Sequence, residues 1–513
     1  MQSKRDQVQA HTFMMSRLAS GMSLGDPDAA ESPLVRTTRG TMIGVIITVV
    51  IAAGSLLFGL ISPGGNDSWK TPKSLIVNKD TGARYLFADG RLRPVRNYAS
   101  AMLIGGADLK TTNVRTASLR DTPLGTPVGI PGAPDQVPHS GDLDGGPWHV
   151  CSTLDAAEDS STGSAHATAV TTLVVGAPMT GHGMADRDGL LVRGPDKSAY
   201  LVWRGSRLRL DAKSAAVVSL GYGSVTARPV SAAFLDALVP GPDLAPPAVP
   251  GRGAKGPSLG GRDSTVGQVF QVHVPGSSPK YYLLRKEGLV PLTDTGAALL
   301  LGDPATREKA YDGASPTVGD LGADALKEHQ APGSEGLSPG SAGLPSSPPH
   351  ATTVPEDQTA CAAVQPDHGG TKVATVLLPV SSLTPTAPSL TDDATRACLP
   401  VNATVVRPGH GALVRALTAS GAKLGNTTYL VADNGVKHRV PDAEALKALG
   451  YTENDVKAVP SPLLSMLPSG PALSSVAAAG SGSSVVTPPD CGIAPVGSSA
   501  AKETSKSAAQ KKR

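Results

Sequence analysis

A β-rich α+β chain with one N-terminal transmembrane helix, a split central β domain and four small sheet-plus-helix repeats is the fold class predicted by three observations. One charge-free apolar run is long enough to cross a bilayer. A hairpin pattern led by Tyr-Leu recurs four times. Finally, 58 glycines and 45 prolines interrupt a chain that is only 3% aromatic, a mixture that favours short elements and turns over long helices.

Composition sets the outer bounds. At about 100–200 residues per domain, 513 residues exceed a single core. A net charge of +3 offers no basic stripe, so no nucleic-acid partner is expected. Four cysteines are too few for a disulfide-dense scaffold, but their number is even.

Residues 1–41 form a short tail. Within it, 3–22 suit an amphipathic helix: at about 100° per residue Val8, Met14, Met15, Leu18 and Met22 keep to one stripe. Phe13 falls off that stripe, near Asp6 and Arg17. Two readings stay open, a helix lying on the membrane surface and a docking helix with Phe13 as a second contact point. The run 42–62, MIGVIITVVIAAGSLLFGLIS, has no charged residue. At about 1.5 Å per residue it covers roughly 31 Å, the thickness of a hydrocarbon core. Arg36 and Arg39 precede it, while Lys70, Lys73 and Lys79 follow, a near tie for the positive-inside rule. All four cysteines lie beyond the span, where an oxidising compartment lets them pair, so the tail is read as cytoplasmic and the bulk as extracytoplasmic.

The repeats are read at 69–134, 187–250, 262–330 and 408–475. Tyr85-Leu86, Tyr200-Leu201, Tyr282-Leu283 and Tyr429-Leu430 each lead an apolar run, then a polar turn with Gly90, Gly205, Gly288 or Gly435, then a second run. That is hairpin chemistry, with glycine taking the positive-φ position. Strand candidates precede each copy at 75–77, 190–192, 269–272 and 413–416. Short helices stopped by Pro and Gly are expected near 234–242 and 463–471, and Asp442 is placed to cap a helix over 443–449 that Gly450 ends. Between the repeats, 148–178 and 359–407 read as strands with polar loops. We expect them to build one central domain from two chain segments, held by Cys151–Cys361, with Cys398 and Cys491 left as a possible second pair. Sequence alone leaves all three connectivities open. Residues 331–357 are expected to be a flexible linker, and 476–513 a disordered tail.

Chemistry is sparsely marked. No G-x-x-x-x-G-K-[ST] loop occurs, and Gly369-Gly370-Thr371-Lys372 lacks its spacing. Asp142/Asp144 and Asp392/Asp393 read as solvated loop charges, and His410 as a turn residue. No cofactor, metal or catalytic residue is expected.

One resemblance covers nearly the whole chain apart from the linker and the last tail. Arg5, Gln7, Val8, Phe13, Arg17 and Leu18 fit an R-x-Q-V-x-x-x-x-F-x-x-x-R-L pattern; Pro33-Leu34 and Arg39 stand before the span; PLGTPVGIPGAP over 123–134 closes the first repeat; and Pro147-Trp148-His149-Val150-Cys151 opens the central domain. With these features in this order the sequence resembles EccB, the single-pass core membrane component of type VII (ESX) secretion machinery. The resemblance implies a structural subunit that anchors and frames the extracytoplasmic part of an export path. It implies partners as well: an FtsK/SpoIIIE-like ATPase, a multispan subunit, a further membrane subunit, other copies of itself and the lipid bilayer. Members of that family often carry an ATPase label. The alternative readings are an extracytoplasmic hydrolase of nucleotide or cell wall, and a cell-wall ligand-binding module.

Overall fold

The computed structural model describes residues 3–28, 33–61, 67–71, 73–158, 165–273, 276–334, 343–367, 370–383, 394–417, 423–480 and 491. The chain divides into two units, one of residues 1–92 and 111–125, the other of residues 93–110 and 126–513.

The first unit opens with α1, Lys4–Leu24. Ser3 caps it: its hydroxyl accepts the Asp6 N–H, and the Asp6 carboxylate accepts the Ser3 N–H at 3.2 Å, satisfying two orphan donors reciprocally. Gly25, in the left-handed region at φ 67°, ends the helix. The second helix, α2, runs Pro33–Ile61, with an apolar stretch at Thr37–Phe58 of mean hydropathy 2.4. It starts nine residues before the expected span. Pro33 suits a first helical turn, and nothing between it and Met42 interrupts the backbone ladder. Beyond the span, strands at Ser74–Asn78, Arg84–Ala88, Arg91–Pro94 and Lys110–Val114 form a four-stranded sheet. Its core gathers Trp69, Ile76, Leu92, Val114 and Leu119, with Phe87 edge-on to Trp69 at 5.5 Å.

In the second unit, strands from two distant chain segments make one six-stranded sheet. Its order is Ala403–Val405, Ala165–Val174, Trp148–Glu158, Gln358–Asp367, Gly370–Pro379, His182–Gly183. Three smaller sheets repeat the topology of the first. In each, a leading strand pairs with a hairpin, the chain crosses through a helix, and a fourth strand returns parallel to the leading one: Arg228–Pro229 beside 192–193, Gly319–Asp320 beside 270–271, Lys457–Pro460 beside 414–417. A second short helix and a closing parallel bridge follow in all four sheets. The helices are Thr116–Leu119, Ala232–Ala237, Ala323–His329 and Ser461–Ser465. The bridges join Leu92 to Leu124, the strand 206–207 to 239–240, Leu289 to Gln330, and Lys437 to Ser469. The sequence marked this downstream element in two copies only, because in the other two, TASL and ADALKEH, polar residues break the apolar run.

One core joins the central sheet to the second and fourth small sheets. Trp148, Val150 and Leu173 of the central sheet pack with Val192, Val202 and Phe234 of the second small sheet and with Val414, Val431 and Leu463 of the fourth. Two expected loose stretches are held where they are described. In 331–357, Ala331 donates its N–H to Leu289 O at 3.0 Å, the Tyr222 hydroxyl donates to Pro349 O at 2.8 Å, and His350–Ala351 pairs in parallel with 188–189. This stretch therefore adds a strand to the second small sheet, and residues 335–342 lie outside the described residues. In 476–513, Ala478 is buried against the helix Tyr98–Gly105 and its carbonyl accepts the Gly129 N–H at 2.9 Å, so 476–480 pack as part of the second unit. Apart from Cys491, residues 481–513 lie outside the described residues.

Candidate functional site

The four turn glycines occupy different environments. Asp89-Gly90 and Arg204-Gly205 are two-residue hairpin loops with φ positive at both positions, 54° and 71° in one, 48° and 75° in the other, the geometry of a type I′ turn. Space around Gly90 is open. Gly205 instead seats its hairpin on the central sheet: its N–H donates to Thr375 Oγ1 at 3.2 Å, and a methyl there would overlap the Val373 carbonyl. Gly435 meets the opposite edge strand of that sheet, where a methyl would lie 3.2 Å from the Thr404 side chain. Gly288 sits outside its loop, which is Lys286-Glu287, and opens the next strand at φ 126°; a methyl there would lie 2.6 Å from His329 O. Two hairpin tips thus contact one sheet, one at its edge strand 403–405 and one at the inner strand 370–379, a relation between residues about 170 and 30 positions apart that a local motif does not carry.

Cys151 and Cys361 face each other across antiparallel strands and are bonded, with Cα atoms 4.0 Å apart and no exposure on either residue. Cys398 and Cys491 form a second bond, spanning 93 residues. Asp144 corrects its reading as a solvated loop charge. Its side chain is 4% exposed and accepts from both Nε (3.1 Å) and Nη2 of Arg407, while His410 Nδ1 lies 3.5 Å from the same carboxylate. The Asp144 N–H also donates to Gly411 O at 2.7 Å. Arg407 neutralises the carboxylate, so the cluster fastens the 142–144 segment to the 407–411 turn. His410 stands in that turn, its N–H donating to Arg407 O at 3.0 Å. Asp392 and Asp393 lie outside the described residues.

Two further polar side chains are buried in the fourth small sheet. Lys437 donates its ammonium to the carbonyls of Leu464 and Leu467, satisfying the end of the helix Ser461–Ser465, and burial lowers its pKa to about 8. His438 is fully buried; its Nδ1 lies 3.1 Å from Pro471 O, and desolvation pushes its pKa down to about 4 from 6.5. The unfolded imidazole takes up a proton near pH 6.5 and the folded one only near 4. The stability this side chain contributes is therefore whole above pH 6.5 and is lost as pH falls toward 4, by about 3 kcal/mol. In urea titrations from pH 7 to 4, His438→Phe is expected to remove most of that slope; a slope unchanged from wild type assigns it elsewhere.

The tail residues Arg5, Gln7, Val8, Phe13, Arg17 and Leu18 all lie on α1, where Val8, Phe13 and Leu18 are exposed. Arg17 stacks over the Phe13 ring at 5.4 Å and pairs with Asp28, so it holds an aromatic contact point as well as a charge. On the second small sheet an open groove is lined by Tyr200, Arg207, Arg209, Leu235, Asp236 and Asp243, with Arg207 paired to Asp236 at 2.5 Å and the Tyr200 hydroxyl donating to Asp196 at 3.2 Å. Among the described residues, no three of His, Cys, Asp or Glu gather as a metal-binding group. What the geometry supplies is a set of braces between sheets and an exposed tail helix.

Known proteins match this arrangement along most of its length. A family model described as type VII secretion system ESX-1, transport TM domain B, matches residues 1–486. The chain is 27% identical over 490 residues to the ESX-3 secretion system ATPase EccB3 of Mycolicibacterium smegmatis, covering 92% of this chain and 89% of that one. It is 28% identical over 482 residues to the ESX-1 secretion system ATPase EccB1 of Mycobacterium tuberculosis, covering 92% and 93%. Among solved structures, a chain of the intact ESX-5 inner membrane complex matches with a TM-score of 0.61 at 25% identity over 93% of this chain and 95% of that one. The EccB3 dimer from the ESX-3 core complex matches with a TM-score of 0.61 at 25% identity, over 79% and 99%.

Proposed function

We propose a function from one premise: the chain belongs to the EccB family of type VII secretion membrane proteins. It is a structural subunit of an ESX-type inner membrane complex, associating with other core subunits and with copies of itself. The observation that carries this is the likeness, over 93% of the chain, to a component of an intact ESX-5 inner membrane complex. The braces described above suit that role, since they hold small sheets rigidly on a central one and leave their outer surfaces for contact.

In our reading the tail 1–41 is cytoplasmic and the body beyond α2 is periplasmic. Two things support it: both disulfides lie beyond the span, and Arg36 and Arg39 lie immediately before it. The tail helix docks on the cytoplasmic side through Val8, Phe13 and Leu18, with Arg5, Gln7 and Arg17 beside them, and the FtsK/SpoIIIE-like ATPase is the partner we assign to it. The multispan subunit and the further membrane subunit complete the set. The relatives named above carry ATPase in their names, but the sequence of this chain has no phosphate-cradling G-x-x-x-x-G-K-[ST] loop, and we assign nucleotide hydrolysis to the partner. Deleting residues 1–35 tests the docking. After mild detergent extraction the full chain is expected to co-purify with the ATPase and the truncated chain to lose it while staying in the membrane. Undiminished co-purification contradicts the docking role.

A further inference from the structure

We propose that the ledge where the central sheet emerges from beneath the second small sheet receives an acidic side chain of a partner chain, with Arg228 as its counter-charge. Arg228 stands on the short strand Arg228–Pro229, and its Nη2 donates to Ser152 O at 3.2 Å. The residue is half-buried and its Nε is buried without a hydrogen-bond partner. Among the described residues no carboxylate pairs with it; burial lowers its pKa and no neighbouring charge opposes that shift. Asp155, the acid nearest Ser152 in sequence, is exposed on the opposite face of its strand. A guanidinium drawn out of water without an anion costs the folded chain free energy that a partner's carboxylate would return.

The surface beside Arg228 is open. Under the second small sheet the central sheet is covered: Trp148 and Val150 pack with Phe234, and the Thr171 hydroxyl donates to Ser231 Oγ at 2.6 Å. That cover ends at the Ser152–Thr171 pair. One pair further out on the same face, exposed Leu154 stands opposite half-buried Ala169. The flanking strands stop at the same place. Residues 360–364 pair with 148–152 and residues 403–405 with 172–174, so from Thr153 outward the two strands bond to each other alone. A two-stranded ribbon with unpaired edges is marginal in water and gains from a chain laid against it.

The occupant follows from this chemistry: a chain presenting Asp or Glu beside an apolar side chain. Its carboxylate pairs with Arg228, and its apolar group covers Leu154 and Ala169. The inference rests on the assembly reading above and gives it one contact surface. Ser152 O also accepts from the Thr359 hydroxyl at 2.8 Å, so removing the guanidinium orphans no acceptor. That separates a docking role for Arg228 from a role in holding the fold.

The experiment compares the full-length chain with Arg228→Met, Arg228→Lys and Leu154→Asp. Each is extracted from its own membrane in mild detergent and run on native gels over a dilution series, and each is also purified alone and melted. The Arg228→Met complex is expected to half-dissociate at a concentration at least about 10-fold above that of wild type. Alone, the same variant is expected to melt no lower than wild type. Arg228→Lys should recover part of the lost affinity, and Leu154→Asp should weaken assembly by offering Arg228 a carboxylate of its own chain. Undiminished assembly of Arg228→Met overturns this inference and leaves the assembly reading standing. A lone Arg228→Met chain that melts well below wild type overturns it too, by making Arg228 a support of the fold. A wild-type chain that runs alone at every concentration defeats the assembly reading, and this inference with it.

Discussion

Replacing Gly205 with alanine is expected to destabilise the second unit by about 3–5 kcal/mol, whereas the same change at Gly90 costs about 1 kcal/mol. Both glycines hold the second place of a type I′ turn, with φ 75° and 71°, so the backbone strain of an added methyl is common to both. The difference lies in what the methyl meets. At Gly90 it meets open space; at Gly205 it meets the Val373 carbonyl, part of the strand Gly370–Pro379 in the central sheet. A strand paired on both sides cannot retreat without breaking its ladder, so the hairpin must lift and the Gly205 N–H loses Thr375 Oγ1. Urea unfolding of each variant in detergent reads the two costs side by side. Equal, small losses contradict the seating of this hairpin on the sheet.

Removing the central disulfide is the second large effect. Cys151 and Cys361 are 210 residues apart in sequence and directly opposed in the sheet. On the chain-entropy account, closing a loop of that length stabilises the folded state by up to about 5 kcal/mol. The bond also fixes the register of the two chain segments that form the sheet, because a one-residue slip would turn each cysteine to the opposite face. The double variant Cys151→Ala/Cys361→Ala is therefore expected to lose about 4–5 kcal/mol and to accumulate poorly in the membrane at 37 °C. A loss below about 1 kcal/mol would mean that strand pairing alone holds the two segments.

What was legible in the sequence was what local chemistry dictates. The charge-free run marked α2, the Tyr-Leu and glycine pattern marked the hairpins, and Asp442 capped its helix, accepting the Ala445 N–H at 2.8 Å. What stayed hidden depends on residues far apart in the chain. Asp144 and Arg407 are 263 positions apart, so a loop charge and a strand-end arginine gave no sign of each other. Pro349 and the strand beside it read as a linker because proline and serine dominate the stretch, yet Tyr222 and the leading strand at 188–193 capture it. Gly288 was placed in its turn by spacing, whereas its neighbours require it at the strand start, where His329 passes too closely for a side chain. The helix Tyr98–Gly105, YASAMLIG, is apolar on nearly every face and so shows no amphipathic period; it is buried among residues of the fourth small sheet and the Ser475–Ala478 turn.

The central claim is that this chain works by assembly, as a membrane-anchored structural subunit that meets copies of itself and of other core components. The native mass of the full-length protein extracted from its own membrane in mild detergent tests it most directly. A particle holding two or more copies of this chain together with the ATPase is the predicted result; this chain running alone as a monomer under the same extraction would contradict it.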